Sequence, residues 1–332
     1  MNFIYKHIII ILLLSISIFS NAQDPQFSQY YAASLYLNPA FTGNTDVGRF
    51  SGIYRKQWAS IPGAFNSYSF SYDHNLSNYN SGIGIIATQD KSGSGGLKFT
   101  NIGGLYSYAL PINRKLFVKA GIKYSYTFRG IDKNELLFAD QIIRDGANET
   151  VENFSDQRIS YFDGSTGFLL YSSEFWFGFS FDHLTQPEQS LISGKTKLPL
   201  KTSIHGGYKF LIDEGYGDDE GSNIMVTFNY KKQQYWNQLD LGVYYNKNVL
   251  VLGAWYRGIP FIKNYSISDN DAIVLLAGID NKGFKFAYSY DITLSKLEIN
   301  NSGGSHELSL IYEYPYKKKK RKKRHFVPCA KF

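Results

Sequence analysis

Residues 118–128 read VKAGIKYSYTF, and the alternation of their side chains decides the fold. Val118, Ala120, Ile122, Tyr124, Tyr126 and Phe128 take every second position, with Lys119, Gly121, Lys123, Ser125 and Thr127 between them. On a strand successive side chains point to opposite faces, so this segment has one oily face and one of glycine, hydroxyl and charge. The same rhythm returns at Phe175, Phe177, Phe179 and Phe181, at Phe284, Phe286, Tyr288 and Tyr290, and at Leu308, Leu310, Tyr312 and Tyr314.

A soluble sandwich also alternates, with the oily face turned to a core. Two features favour the inverse arrangement, oily side chains outward to lipid. The segments run about 9 to 13 residues, the length a tilted strand needs to cross hydrocarbon, whereas soluble strands cluster at about 5 to 6. Aromatics also crowd the segment ends, as in the girdles of membrane barrels. Fourteen segments fit: 47–58, 64–75, 81–89, 98–110, 115–128, 161–171, 174–183, 201–211, 222–231, 238–246, 249–257, 271–280, 284–292 and 305–314. An even count is what single-chain bacterial outer-membrane barrels have. The reading is therefore an all-β, transmembrane, antiparallel barrel of about 14 strands over 47–314.

Connections give an independent test. Those near 77–80, 111–114, 172–173, 247–248 and 281–283 are short, with 213–221 a mild exception, while 129–160, 184–200, 258–270 and 293–304 are long and on the opposite parity. Short periplasmic turns and long outer loops predict both chain ends in the periplasm.

Composition agrees. The 332 residues include 27 Tyr, 25 Phe and 4 Trp, which excludes a disordered chain and suits strands better than helices. A single cysteine, Cys329, excludes a disulfide scaffold. The formal charge of +7 is local. Nine of the 35 basic residues lie in the tail and Lys6 in the leader, leaving 25 against all 28 acids.

Residues 1–22, MNFIYKHIIIILLLSISIFSNA, have Lys6 ahead of an apolar run from Ile8 to Phe19, then Ser20 and Ala22 at the small-residue positions of a cleavage site. The run is too short to span a bilayer, and the segment reads as a secretory signal peptide. Export also argues against nucleic acid as a partner of the basic run.

The inward face implied by the phase carries Arg49, Arg55, Lys119, Lys123, Asp182, His205, Lys209, Asp240, Glu307 and Glu313. These either line a water-filled pore or pair as a polar filling, and the pattern leaves both open. GxSxG, HExxH, GxxxxGK[ST] and GxGxxG are all missing, and the histidines lie far apart, so the chain reads as a non-enzyme without cofactor or metal.

Between leader and barrel lies 23–46, read as a periplasmic segment folded against the barrel mouth or into its lumen. Tyr30, Tyr31, Leu35, Tyr36 and Leu37 have nearly helical spacing, and Asn38-Pro39 stops any helix. Gln26, Phe27, Ser28, Gln29 and Tyr30, then Leu35 to Leu37, Asn38, Pro39, Ala40 and Gly43, continue into Tyr54 to Trp58 and Pro62 to Ala64. This run closely resembles the start of the PorP/SprF family of Bacteroidota. The resemblance implies an integral outer-membrane component of the type IX secretion system that supports export or surface attachment of large proteins such as gliding adhesins. Its implied partners are that cargo, periplasmic or lipoprotein parts of the machinery, and outer-membrane lipid. The alternative is a channel or transporter for small molecules.

The tail, 315–332, resembles the SprF-like branch. Lys317, Lys318, Lys319, Lys320, Arg321, Lys322, Lys323 and Arg324 are followed by Phe326 and the terminal Phe332. Eight like charges repel one another and predict an extended segment that meets something acidic, with Phe326 and Phe332 as apolar contacts.

Overall fold

The computed structural model describes residues 24–93, 96–132, 136, 139–144, 157–191, 196–213, 221–259, 270–295 and 299–314. The leader 1–22 and the tail residues 317–324, 326 and 332 lie outside them. Fourteen antiparallel strands form one closed barrel in which each strand pairs with its sequence neighbours and β1 closes on β14. They are β1 (Gly48–Gln57), β2 (Phe65–Leu76), β3 (Ser81–Ser92), β4 (Leu97–Pro111), β5 (Phe117–Ile131), β6 (Arg158–Tyr171) and β7 (Phe175–Asp182). Next come β8 (Lys201–Asp213), β9 (Ser222–Gln233), β10 (Trp236–Lys247), β11 (Leu250–Gly258), β12 (Asn270–Asn281), β13 (Phe284–Thr293) and β14 (Ser305–Glu313). Each expected segment falls on one of these strands. Closure leaves no sheet edge along the wall, the condition for placing backbone in hydrocarbon.

The register confirms the phase. Ile122 stands opposite Tyr106 and Thr166, and Phe286 opposite Ile279 and Leu310, all facing out. Ile85, Ile122 and Tyr124 remain about 60% exposed (59%, 59% and 61%) in the isolated chain, the signature of a wall made for lipid. Cross-strand aromatic pairs such as Tyr54–Tyr68, Phe50–Tyr72, Tyr126–Phe162 and Phe284–Tyr312, with ring centroids 4.5 to 5.0 Å apart, band the outside near the strand ends. No described helix is long and apolar enough to cross a membrane, which says nothing against crossing by strands.

The connections sort onto two ends. The short-turn end holds the joints after β2, β4, β6, β8, β10 and β12. The tightest, Lys282-Gly283, has φ of 50° and 92°, the doubly left-handed turn that matches strand twist. The opposite end holds the long loops, with one refinement: β3–β4 and β9–β10 are also joined tightly there, the latter by residues 234–235 alone. Length parity is therefore less sharp than the sequence suggests. A short helix, Ala139–Ile143, occupies part of the β5–β6 loop.

Candidate functional site

A barrel of this size would enclose space, and here the chain fills that space with its own residues 24–46. Of the two placements open from sequence, mouth or lumen, the structure has the lumen. It runs from Asp24 near the long loops down to Val47 at the short-turn end, where Val47 accepts a hydrogen bond from the Asn75 N–H before the chain turns into β1. The near-helical spacing yields only a four-residue helix, Ser34–Leu37, because the Asn38 backbone is extended (φ −157°) ahead of Pro39.

The upper half is held by charge. The Ser28 and Gln29 N–H groups donate to the two oxygens of Glu307 at 2.7 and 2.9 Å. The Ser28 hydroxyl donates to Asp291 and accepts from Arg55 Nη1 and Arg257 Nη2, both at 2.7 Å. The two guanidiniums also pair with carboxylates: Arg55 with Asp291 (2.7 Å) and Glu307 (3.1 Å), Arg257 with Asp291 (3.0 Å) and Asp240 (3.3 Å). Lys231 Nζ lies 3.5 Å from Asp240, so two arginines and a lysine face three carboxylates. Burying this many charges is tolerable only because each is paired and hydrogen-bonded. Burial and the Asp240 charge push the Tyr30 phenol well above its ordinary value, so it donates to Asp240. The Gln29 side chain donates to Ser289 and to the Glu307 carbonyl and accepts from Tyr31 and Ser309.

At the very top, His183 is gripped between Asp24 (Nε2 to Oδ2, 2.9 Å) and Asp163 (Nδ1 to Oδ2, 2.5 Å). Lys201 reaches the same Asp24 oxygen at 2.8 Å. Burial alone would lower the His183 imidazole, but the two carboxylates outweigh it and raise it to about 9. Burial would raise the Asp24 carboxyl, yet the charges of His183 and Lys201 hold it well below the usual carboxylate range. Both groups are charged at neutral pH and form a latch.

The lower half is held by fit. Every residue from Asn38 to Thr45 is buried. The Asn38 amide donates to the carbonyls of Phe168 (3.1 Å) and Phe179 (3.2 Å), while its oxygen accepts from the Ala40 N–H. A Cβ on Gly167 would lie 1.9 Å from the Asn38 oxygen, one on Gly121 2.4 Å from the Pro39 and Ala40 backbone, and one on Gly82 2.3 Å from the Thr42 carbonyl. The wall is thus notched with glycine where the filling touches it. Lys119 and Ser107 then donate to that carbonyl, and the Gly43 N–H donates to Asp73, itself paired with Arg49 at 2.9 Å. Cavities alongside the filling, one by Tyr30, Tyr36 and Trp236 and another by Phe41, His205 and Asn229, hold about 30 Å³ each. That is room for a few waters.

The structure gathers the expected residues closely. Gln26, Phe27, Ser28, Gln29, Tyr30, Leu37, Asn38, Pro39, Ala40 and Gly43 all lie along the lumen, with Gln26 donating to Gln238. Of the ten inward side chains, Arg49, Arg55, Lys119, Asp182, His205, Asp240 and Glu307 are buried, and Lys123, Lys209 and Glu313 are half-buried. Sequence reasoning missed Asp24, Asp163, Arg257 and Asp291. The inward phase of β6, β11 and β13 marks the last three, and nothing in the sequence marks the first. His183 counted only among histidines that lie far apart in the sequence.

Known structures to which the chain is similar include the toluene transporter TodX of P. putida, with TM-score 0.49, 12% identity, and coverage of 86% of this chain and 94% of that one. The toluene transporter TbuX of Ralstonia pickettii gives 0.47 and 9% over the same shares. Omp33 of Acinetobacter baumannii gives 0.40 and 8%, covering 82% of this chain and 100% of its own. No score reaches 0.5, and the architecture rests on the register described above. No curated protein sequence matches the chain. Residues 19–312 match the family described as type IX secretion system membrane protein PorP/SprF, a span that takes in the filling and nearly the whole barrel. The chain is an outer-membrane β-barrel of the PorP/SprF family of the type IX secretion system.

Proposed function

We propose that the protein works as a plugged, non-catalytic barrel that supports export or surface attachment of large secreted proteins, gliding adhesins among them. Its short-turn end and tail face periplasmic or lipoprotein partners in the machinery, and its long loops face the cargo. The observation that carries this reading is the filled lumen. The stretch bearing the sharpest family motif is spent on closing the barrel, which leaves the two ends as the working surfaces. Orientation follows from the turns and from residues 1–22 as an export signal. Because Asp24 sits beside the long loops, the leader has to be removed before the filling is seated.

The test is a strain lacking the chain. Loss of surface display of a large exported protein, with unchanged uptake of small solutes, is the expected result, and that protein should co-purify with the barrel. Normal display combined with an uptake defect would replace this reading with the channel.

A further inference from the structure

On the outer face of the wall, near the long-loop end, one row of the strand ladder collects basic side chains. Lys56 on β1 stands opposite Asn66, Asn66 opposite Lys91, Lys91 opposite Lys98, Lys98 opposite Gly130, and Gly130 opposite Arg158 on β6. Alternation turns this row outward, because the chain neighbours Arg55, Ser67 and Asp90 are buried toward the lumen. At about 4.8 Å per strand the row runs about 24 Å along the wall. Lys91 and Lys98 are like charges on directly opposed residues, a pairing that costs a sheet stability until an anion bridges it. Apart from inward-facing acids such as Asp90 and Asp163, the described residues at this end of β1–β6 hold two carboxylates: Asp132, 3.0 Å from Lys98, and Asp140, paired with Arg144. The row therefore stays positive. On the opposite arc the outward Lys232 stands between Thr202 and Asn237.

Below the row the same strands change character in two steps. First come Tyr54, Tyr68, Gln89 and Thr100, each opposite the next, with Gln89 Nε2 3.5 Å from Thr100 Oγ1. Then come Gly52, Phe70, Ala87 and Ile102. Gly52 and Ala87 floor a groove of about 590 Å³ whose walls include Tyr54, Tyr68, Phe70 and Leu310. Nothing in the backbone calls for glycine there: φ at Gly52 is not positive, and a Cβ would meet only Phe70 Cδ2 at 3.9 Å. The groove floor lies about 13 Å along the strand from the basic row. Charge, then hydrogen-bonding groups, then an apolar trough is the order in which a lipid presents phosphate, amide or ester linkage, and acyl chain.

We propose that this face of β1–β6 binds a phosphorylated glycolipid from the leaflet at the long-loop end. Its phosphates sit on Lys56, Lys91, Lys98 and Arg158, and one acyl chain fills the Gly52 groove. A headgroup with two phosphates matches the width of the row, whereas a glycerolipid with one covers a single pair of cations. The bound phosphate bridges Lys91 and Lys98 and so removes their repulsion. Under the orientation proposed above the leaflet is the outer one; the site itself needs only a barrel seated in a bilayer, so its failure and that of the secretion role are separable.

Titration of the full mature chain in neutral detergent with diphosphorylated lipid A is the test. Binding should be at least tenfold tighter than for the same lipid stripped of both phosphates, and at least tenfold tighter than for phosphatidylglycerol. The double variant Lys91→Gln, Lys98→Gln should lose at least tenfold in affinity, Gly52→Leu at least threefold, and Lys232→Gln nothing. Heat-modifiable gel mobility verifies folding, and the comparison of lipids uses the unaltered chain, so it decides even where a variant misfolds. Equal binding of the dephosphorylated lipid or of phosphatidylglycerol, full affinity in the double or the groove variant, or an equal loss from Lys232→Gln would each overturn the proposal.

Discussion

The two halves of the luminal segment are held by opposite physics. Its upper half, Asp24 to Tyr31, is a web of buried charges: Ser28 alone touches two arginines and two carboxylates. Its lower half, Asn38 to Thr45, is mainly a steric fit in which glycines of the wall make room for backbone, with Lys119 and Asp73 each holding one backbone group. A charged contact can be undone by changing protonation or partner, whereas a fit of backbone into notches is undone only by distorting the wall. The lower half also continues directly into β1 and cannot leave. The difference makes the upper half the part that can be released and the lower half the anchor.

The largest expected effect comes from the charged web. Arg257→Ala leaves Asp240 and Asp291 each short of a buried partner, which should cost about 3–5 kcal/mol in chemical unfolding; a loss under about 1 kcal/mol would break the comparison. Next is the fitted half. Gly121→Ala puts a methyl group against the Pro39 and Ala40 backbone, which has no rotamer to escape by, and should cost about 3 kcal/mol, the upper end for overpacking. Its mark is indifference to salt, where the arginine variant should respond. Ser180→Ala removes only the hydroxyl bond to the Leu37 carbonyl and should cost about 1 kcal/mol.

The smallest effect is local. His183 is raised in the folded chain, so its contribution is fully present below its ordinary value of 6.5 and is lost as pH climbs through about 9. Asp24 is lowered, so its contribution is present above its ordinary 3.8 and is lost only as pH falls through its depressed folded value. Hydrogen exchange in residues 24–31 should therefore quicken above about pH 9 while residues 38–45 stay protected. Equal quickening in both halves would erase the distinction.

Much of the barrel was legible because a strand reports its two faces at every second residue. Val118 to Phe128 and Phe284 to Tyr290 fixed the outward phase, and Arg55, Asp240 and Glu307 followed as inward. The filling was less legible, since it has no repeating face. Tyr30 to Leu37 hint at a helix that four residues satisfy, and the contacts that place the segment join positions up to 280 apart in sequence: Ser28 meets Arg55, 27 residues on, and Gln29 meets Ser309. Gly121 looked like one more small residue of the alternation, and Gly167 carried no mark of its own. Only the path of the segment against the wall turns them into notches. The acid at Asp24 carried no signal because its partners, His183 and Lys201, come from a distant pair of strands.

Ion conductance in planar bilayers tests most directly whether the segment fills the lumen. The account predicts a silent membrane for the mature protein and steady ion-passing steps for a variant lacking residues 24–43. Steady steps from the intact protein, unchanged by that deletion, would contradict it.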